Sequence, residues 1–210
     1  MIIQCDFDGT ITTNNVSLLL RERFAIGNWQ RIEADYLQGL LGVEESNKRQ
    51  FALIREPKEK LVAFASKNAK VRAGFSDFAY YCRSSGIGLI IVSSGLDFYI
   101  EAVLNKIGAR DIELYCARTS FGQDGITVSY IGPDGSLLKQ GFKEKYLTWL
   151  KKRGGCVTYI GDGLSDLAAA SAADQVFATG HLHILLGAKQ VSHYSFTAFQ
   201  DILHQLRAQP

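Results

Sequence analysis

Asp6 and Asp8 stand two residues apart at the end of the apolar run 2–7, in the order Asp6-Phe7-Asp8-Gly9-Thr10. In an extended chain, residues two apart face one side, so both carboxylates begin on the same side of a strand end. Acids in such a place are costly unless something compensates them. A divalent cation would do so, since Mg²⁺ takes oxygen ligands. A second acidic pair follows the apolar run 157–160, in Gly161-Asp162-Gly163-Leu164-Ser165-Asp166. Gly161 and Gly163 permit tight turns or the close approach of a ligand. A third apolar run, 87–92, ends in Ser93-Ser94-Gly95. Hydroxyls and backbone N–H groups there can hold an oxyanion, helped by the N-terminus of a following helix. A lysine at the start of the helix before run 157–160 can face the same place. Each piece alone reads as a turn or a solvated pair. Together, each closing a separate buried strand, they describe a site for phosphate and magnesium.

These ends need elements to hold them. The runs 2–7, 87–92, 157–160 and 175–178 are short, rich in β-branched residues and apolar on consecutive positions. That pattern predicts strands buried on both faces. Helical patterns lie between them at 76–83, 98–107 and 143–152, so the expected fold is α/β. It is a doubly wound, mostly parallel, Rossmann-like sheet with helices on both faces. Residues 12–70 break the rhythm. Apolar positions there recur three and four apart, with Gly27, Gly42 and Pro57 as boundaries. We read residues 12–70 as a helical cap inserted after the first strand, and residues 1–11 and 71–210 as the catalytic core. The Asp124-Gly125 and Asp134-Gly135 pairs flank an alternating run and predict a hairpin or short meander.

The totals agree with this plan. The chain has 210 residues, 47% of them hydrophobic and 21% charged, with a formal net charge of +2. That balance, without a dense Lys/Arg run, argues against a nucleic-acid partner. No run approaches the ~18 apolar residues that span a membrane, and no signal peptide is visible. A cytoplasmic protein is expected, and the sequence leaves its oligomeric state open. Cys5, Cys82, Cys116 and Cys156 are widely spaced and read as buried free thiols. Trp29 and Trp149 read as packing residues, and His181 and His183 as surface residues without metal-ligand company.

With Asp6-Phe7-Asp8-Gly9-Thr10, Ser93 and Gly161-Asp162-Gly163-Leu164-Ser165-Asp166 in place, the chain resembles the haloacid dehalogenase superfamily of aspartate-dependent phosphatases over nearly its whole length. The resemblance implies that Asp6 is the nucleophile that becomes an aspartyl phosphate, and that Asp8 is the general acid and base. It implies Mg²⁺ held by the Asp6 side chain, the Asp8 backbone carbonyl and Asp162. Asp166 would hold a metal-bound water or orient the lysine. Ser93, Ser94, Gly95 and the lysine would bind phosphate oxygens. Of Lys139, Lys143 and Lys145, Lys143 opens the amphipathic stretch where the family's lysine sits; Lys145 is the runner-up. An acid two residues after the nucleophile implies a phosphatase or phosphomutase rather than a dehalogenase.

The position of the cap resembles the phosphoserine-phosphatase branch, and a cap that closes over its substrate implies a small phosphorylated metabolite. Phosphoserine enzymes carry a glutamate where this chain has Asn15, and an amide cannot supply the charge an ammonium group wants. The stretches 5–12 and 93–98 look closer to the methionine-salvage phosphatases acting on 2-hydroxy-3-keto-5-methylthiopentenyl-1-phosphate. Arg49 falls where that family has a cap arginine, so Asn15 and Arg49 are the cap candidates for substrate. This chain departs from those enzymes at Asn15, where they tend to have an acid, and at Ser94, where they have glycine. Phosphoserine phosphatase and phosphomutase stand as alternatives. The non-enzyme alternative is a phospho-receiver-like binding module, which would have neither cap nor Asp8.

Overall fold

The computed structural model describes residues 1–208; residues 209–210, the end of the expected core, lie outside the described residues. The first apolar run forms β1 (Ile2–Cys5), which ends one residue before Asp6. It pairs in parallel with β2 (Gly88–Leu96) on one side and β6 (Val157–Gly161) on the other. These three central strands are the ones whose ends carry the acids and serines. Chain order leaves β1 toward β2 and later returns on the opposite side to β6. That reversal is the switch point where open parallel sheets bind ligands at their carboxyl ends.

The sheet is completed by β3 (Glu113–Gly122), β4 (Gly125–Ile131), β5 (Leu137–Leu138), β7 (Gln175–Ala178) and β8 (Tyr194–Ser195). Its order is β5-β4-β3-β2-β1-β6-β7-β8, antiparallel only where β3, β4 and β5 meet. The two expected glycine turns join these three. The strand β2 runs past Val92 through Ser93-Ser94-Gly95 to Leu96, with a register shift between Val92 and Leu96. The serines therefore sit on an irregular last stretch of strand rather than beyond it.

Helices cover both faces. The core carries α5 (Phe75–Ser84), α6 (Asp97–Lys106), α7 (Phe142–Gly154), α8 (Leu167–Ala172), α9 (Gly180–Ala188) and α10 (Phe199–Arg207). The last shows how such a helix is fixed. Phe199, Ile202, Leu203 and Leu206 form one buried stripe at three- and four-residue spacing. Phe199 meets Phe75 and Phe78 of α5 with ring centroids 5.1 and 5.0 Å away. Each such side chain contributes roughly 1.5–3 kcal/mol by leaving water.

Residues 12–70 hold α1 (Val16–Phe24), α2 (Trp29–Leu37), α3 (Val43–Phe51) and α4 (Lys58–Asn68). The two chain crossings into this segment are tied together by a bridge between Thr12 and Val71 and by the Thr13 N–H donating to the Lys70 carbonyl at 2.7 Å. The segment leans on the rest of the molecule: α4 packs on α6 and α3 on β4. Gly125 opens β4 at φ +121°, and a Cβ there would lie 2.2 Å from the Ala52 carbonyl oxygen, so the hairpin tip touches the end of α3. Helix α2 stands apart, because none of its residues is buried. The thiols need one correction: Cys5, Cys82 and Cys116 are buried, but Cys156 is exposed in the turn before β6.

Candidate active site

Backbone geometry brings the motifs together first. After β1 the chain turns at Gly9, whose φ is +78°. A Cβ at Gly9 would lie 2.0 Å from Asp162 Oδ2, so only glycine lets that carboxylate approach. Thr10 Oγ1 donates to Asp162 Oδ1 at 3.0 Å and ties the two loops. Arg72 clamps the turn from outside, donating to the Gly9 carbonyl at 2.5 Å, to the Thr10 carbonyl at 2.7 Å and to the Thr197 carbonyl at 2.9 Å.

Oxygens of Asp6, Asp162 and Asp166 lie within 4.8 Å of one another. Asp166 is fully buried and its acceptors are taken. Its Oδ1 accepts from Lys143 Nζ at 2.5 Å and Tyr159 Oη at 2.6 Å. Its Oδ2 accepts from the N–H groups of Asp162 at 3.1 Å and Gly163 at 2.9 Å. Lys143 Nζ also lies 2.9 Å from Asp6 Oδ1, off the angle of an aligned hydrogen bond, so that oxygen receives charge without a directed donor.

Burial is the largest influence on these groups. It pushes the Asp6 carboxyl up to about 7, against the pull of Lys143. Burial, and then the charges of Asp166 and Asp6, push Asp162 well up. Burial alone would lower Lys143, but Asp166 and Asp6 more than offset it and hold the ammonium charged. Asp6 and Asp162, with one lysine between three acids, are thus the pair short of positive charge. They offer hard oxygen donors, and neither histidine nor cysteine joins them among the described residues. That donor set suits a small divalent ion such as Mg²⁺ and not a zinc site.

Asp8 faces elsewhere. Its Oδ1 accepts from the Val16 N–H at the start of α1 at 2.7 Å, and its Oδ2 from the hydroxyl of buried Tyr99. Burial raises its pKa while those two donors hold it back. Gly95 makes the Tyr99 contact possible, since a Cβ there would sit 2.2 Å from Tyr99 Oη. Ser93 Oγ accepts from the Gly95 N–H at 3.1 Å, and Ser94 Oγ is buried with no hydrogen-bond partner among the described residues.

The inserted helices supply the wall above. Asn47 of α3 donates to the Ser94 carbonyl and to Tyr130 Oη, both at 2.8 Å, and Tyr130 donates to the same carbonyl at 2.7 Å. Glu44 of α3 accepts from the Phe142 N–H at 2.8 Å. It therefore caps the helix α7, which carries Lys143 and whose N-cap Gly141 has no side chain to do so. Together they enclose a cavity of about 190 Å³ whose polar lining includes Asp6, Asp8, Ser93, Lys143, Asp162 and Arg21.

Residues 3–171 match the family model of haloacid dehalogenase-like hydrolases. The chain belongs to that family. Two curated relatives are named 2-hydroxy-3-keto-5-methylthiopentenyl-1-phosphate phosphatase. The protein from Brevibacillus brevis is 29% identical over 99% of this chain and 95% of its own length. The one from Geobacillus thermodenitrificans is 30% identical over 99% of this chain and 96% of its own. Among solved structures, a substrate-bound phosphoserine phosphatase aligns with a TM-score of 0.71 at 19% identity, covering 97% of each chain. A haloacid dehalogenase family hydrolase from Salmonella enterica serovar Typhi aligns at 0.76 and 18%, covering 100% of this chain and 72% of that one. At those identities the structures speak to the fold alone.

Within this haloacid dehalogenase-like frame, Asp6, Asp8, Ser93, Ser94, Gly95, Lys143 and Asp162 line one cavity, and Asp166 lies buried beneath it. Lys139 and Lys145 are exposed, whereas Lys143 is buried between Asp6 and Asp166, which separates them. The cap candidates fare differently. Asn15 lines the cavity but also serves α1, its Oδ1 accepting from the Leu18 N–H at 2.8 Å. Arg49 is not brought to the cavity: it lies on the solvent side of α3, half exposed, with Nε 2.6 Å from Glu45 one turn earlier. Helix phase explains the placement. Glu44, Asn47, Gln50 and Phe51 share the buried face, which leaves Arg49 outside. His181 lines the cavity mouth, whereas His183 pairs with His193 at 2.8 Å.

Proposed function

We propose that this hydrolase is a Mg²⁺-dependent phosphatase that cleaves 2-hydroxy-3-keto-5-methylthiopentenyl-1-phosphate through an aspartyl-phosphate intermediate. The observation that carries the reading is the end-to-end relation, at 29–30% identity, to two proteins named for that reaction. The site's chemistry supports it. Asp6 attacks phosphorus, and the bond from phosphorus to the ester oxygen breaks. Asp8, its pKa raised by burial, gives its proton to the departing oxygen and later takes one from the water that hydrolyses the aspartyl phosphate. Lys143 and the Ser93 and Ser94 hydroxyls bear the charge on the phosphate oxygens. Asp6, the Asp8 backbone carbonyl and Asp162 would hold the metal. When bound, Mg²⁺ screens the repulsion between the Asp6 carboxylate and the phosphate dianion. Asp166 orients Lys143, since its oxygens already accept four donors. Residues 12–70 act as the cap over this floor.

The test is phosphate release by the purified chain with Mg²⁺ from 2-hydroxy-3-keto-5-methylthiopentenyl-1-phosphate and from phosphoserine. The expected result is a kcat/KM at least tenfold higher for the first. Equal turnover, or preference for phosphoserine, sinks the substrate assignment. Recovery of an isomerised ester without free phosphate would show a phosphomutase.

A further inference from the structure

Arg21 is a buried cation of the cavity wall to which the reaction above gives no contact with the phosphate or the metal. Its side chain is 6% exposed. Its partners are poor for such burial. Glu33 Oε2 is 3.4 Å from Arg21 Nη1, beyond the 2.7–2.9 Å of a charge-assisted hydrogen bond. That oxygen is also taken by Gln50 Nε2 at 2.8 Å. The Trp29 ring lies 5.8 Å from the guanidinium carbon. Arg21 Nε is buried with no acceptor among the described residues. A guanidinium offers five donors in a fixed fork, and leaving them unmatched in a buried place is costly. Arg21 nevertheless lines the same cavity as Asp8, Ser93 and Lys143.

Its position follows from the local structure. Val16, Ser17, Leu20 and Arg21 form the buried face of α1. The Val16 N–H is held by Asp8, so α1 is indexed to the chemical centre. Five residues along a helix is roughly 7.5 Å, and helical side chains lean back toward the N-terminus. Arg21 therefore stands beside the organic part of an ester whose phosphate sits at Asp6.

We infer that Arg21 is the specificity residue of this site, donating to carbonyl and hydroxyl oxygens next to the phosphate-bearing carbon of an uncharged organic group. This rests on the phosphatase reading above and deepens it. Glu33 holds the guanidinium and neutralises it, so the wall as a whole favours a neutral, oxygen-rich group. A zwitterionic amino-acid ester would have to split the Arg21–Glu33 pair to bind.

The experiment uses the full chain with Mg²⁺ and three substrates: dihydroxyacetone phosphate, which carries a keto oxygen beside its phosphate-bearing carbon, phenyl phosphate, which has none, and phosphoserine. KM and kcat are measured for the wild type, Arg21→Met and Glu33→Gln. Arg21→Met is expected to raise KM for dihydroxyacetone phosphate at least tenfold more than for phenyl phosphate. Glu33→Gln is expected to change the ratio in the same direction by less. Parallel losses on both esters, or no change in their ratio, would mean that Arg21 only braces α1 against α2 and would overturn the inference. So would a loss that falls hardest on phosphoserine. A wild-type chain that releases no phosphate from these three esters or from 2-hydroxy-3-keto-5-methylthiopentenyl-1-phosphate overturns the phosphatase reading and the inference with it, whereas activity on that ester with an unchanged ratio in Arg21→Met overturns the inference alone. A fold lost in Arg21→Met would show in its melting profile, and the ratio measured on Glu33→Gln then decides.

Discussion

The floor of the cavity and its wall are built on opposite principles. On the floor, Asp166 accepts four donors, Lys143 sits between two carboxylates, and Gly9 lets Asp162 Oδ2 come 2.0 Å from where a Cβ would be. Asp166 and Lys143 are each held by two or more other groups, while Asp6 Oδ1 has no aligned donor among the described residues. On the wall, Arg21 Nε has no acceptor among the described residues, Glu33 Oε2 lies 3.4 Å from its Nη1, and α2 buries none of its residues. The floor is arranged before any ligand arrives, as groups that stabilise developing charge must be. The wall leaves polar atoms for the ligand to satisfy, which is where selectivity between esters can arise.

The sharpest way to break this contrast is at the nucleophile. Asp6→Asn should lower phosphate release by on the order of 10⁴-fold or more, with far-ultraviolet circular dichroism unchanged. Normal turnover by that variant would remove Asp6 from the chemistry. Asp8→Asn should follow, with about 10²–10⁴-fold loss. The loss should be greater for an alkyl ester than for an aryl ester, whose leaving group needs less protonation. Equal losses on both would argue against Asp8 as the acid.

Acidity probes the floor without mutation. Burial holds Asp6 near 7 in the folded chain, against about 4 in an unfolded one. The folded state therefore binds more protons than the unfolded state between those values. Its stability without divalent cation must fall as pH rises from about 4 to about 7. Urea denaturation with chelator should show that slope, and Mg²⁺ should flatten it by binding the ionised form. A slope of opposite sign would mean that Lys143 overcomes burial. The smallest expected effect lies where wall meets floor. Asn47→Ala leaves the Ser94 carbonyl with Tyr130 alone, and should cost about 1–3 kcal/mol in denaturant titration. A neutral result would mean that Asn47 does not couple the two.

The floor was legible in the sequence because parallel strands place their carboxyl ends on one edge. Asp6, Ser93 and Asp162 needed only three correct strands to become neighbours, and Lys143 one helix. The wall was not legible, because its contacts join polar residues far apart in the chain. Asn47 reaches Ser94, and Glu44 reaches Phe142. Glu44-Glu45 at the start of α3 reads as a solvated first turn. The signal that could have found the buried pair is the spacing of Glu44, Asn47 and Phe51, a helical stripe of mixed polarity. Arg49 was chosen by position in a motif and lies off that stripe. Tyr99 followed from no spacing at all: it reaches Asp8 only because Gly95 has no side chain.

The cap that Glu44 places on α7 has a practical consequence for anyone who would change the enzyme's substrate by exchanging residues 12–70 for another helical segment. The foreign segment would take away an acceptor that belongs to the lysine-bearing helix, along with the amide that steadies the Ser94 carbonyl. Such a chimera starts with a damaged reaction centre, however well its new wall fits the new ester. Transplants that keep Glu44 and Asn47 in α3 register and the Val16 N–H on Asp8, and vary only α2, leave the reaction centre whole.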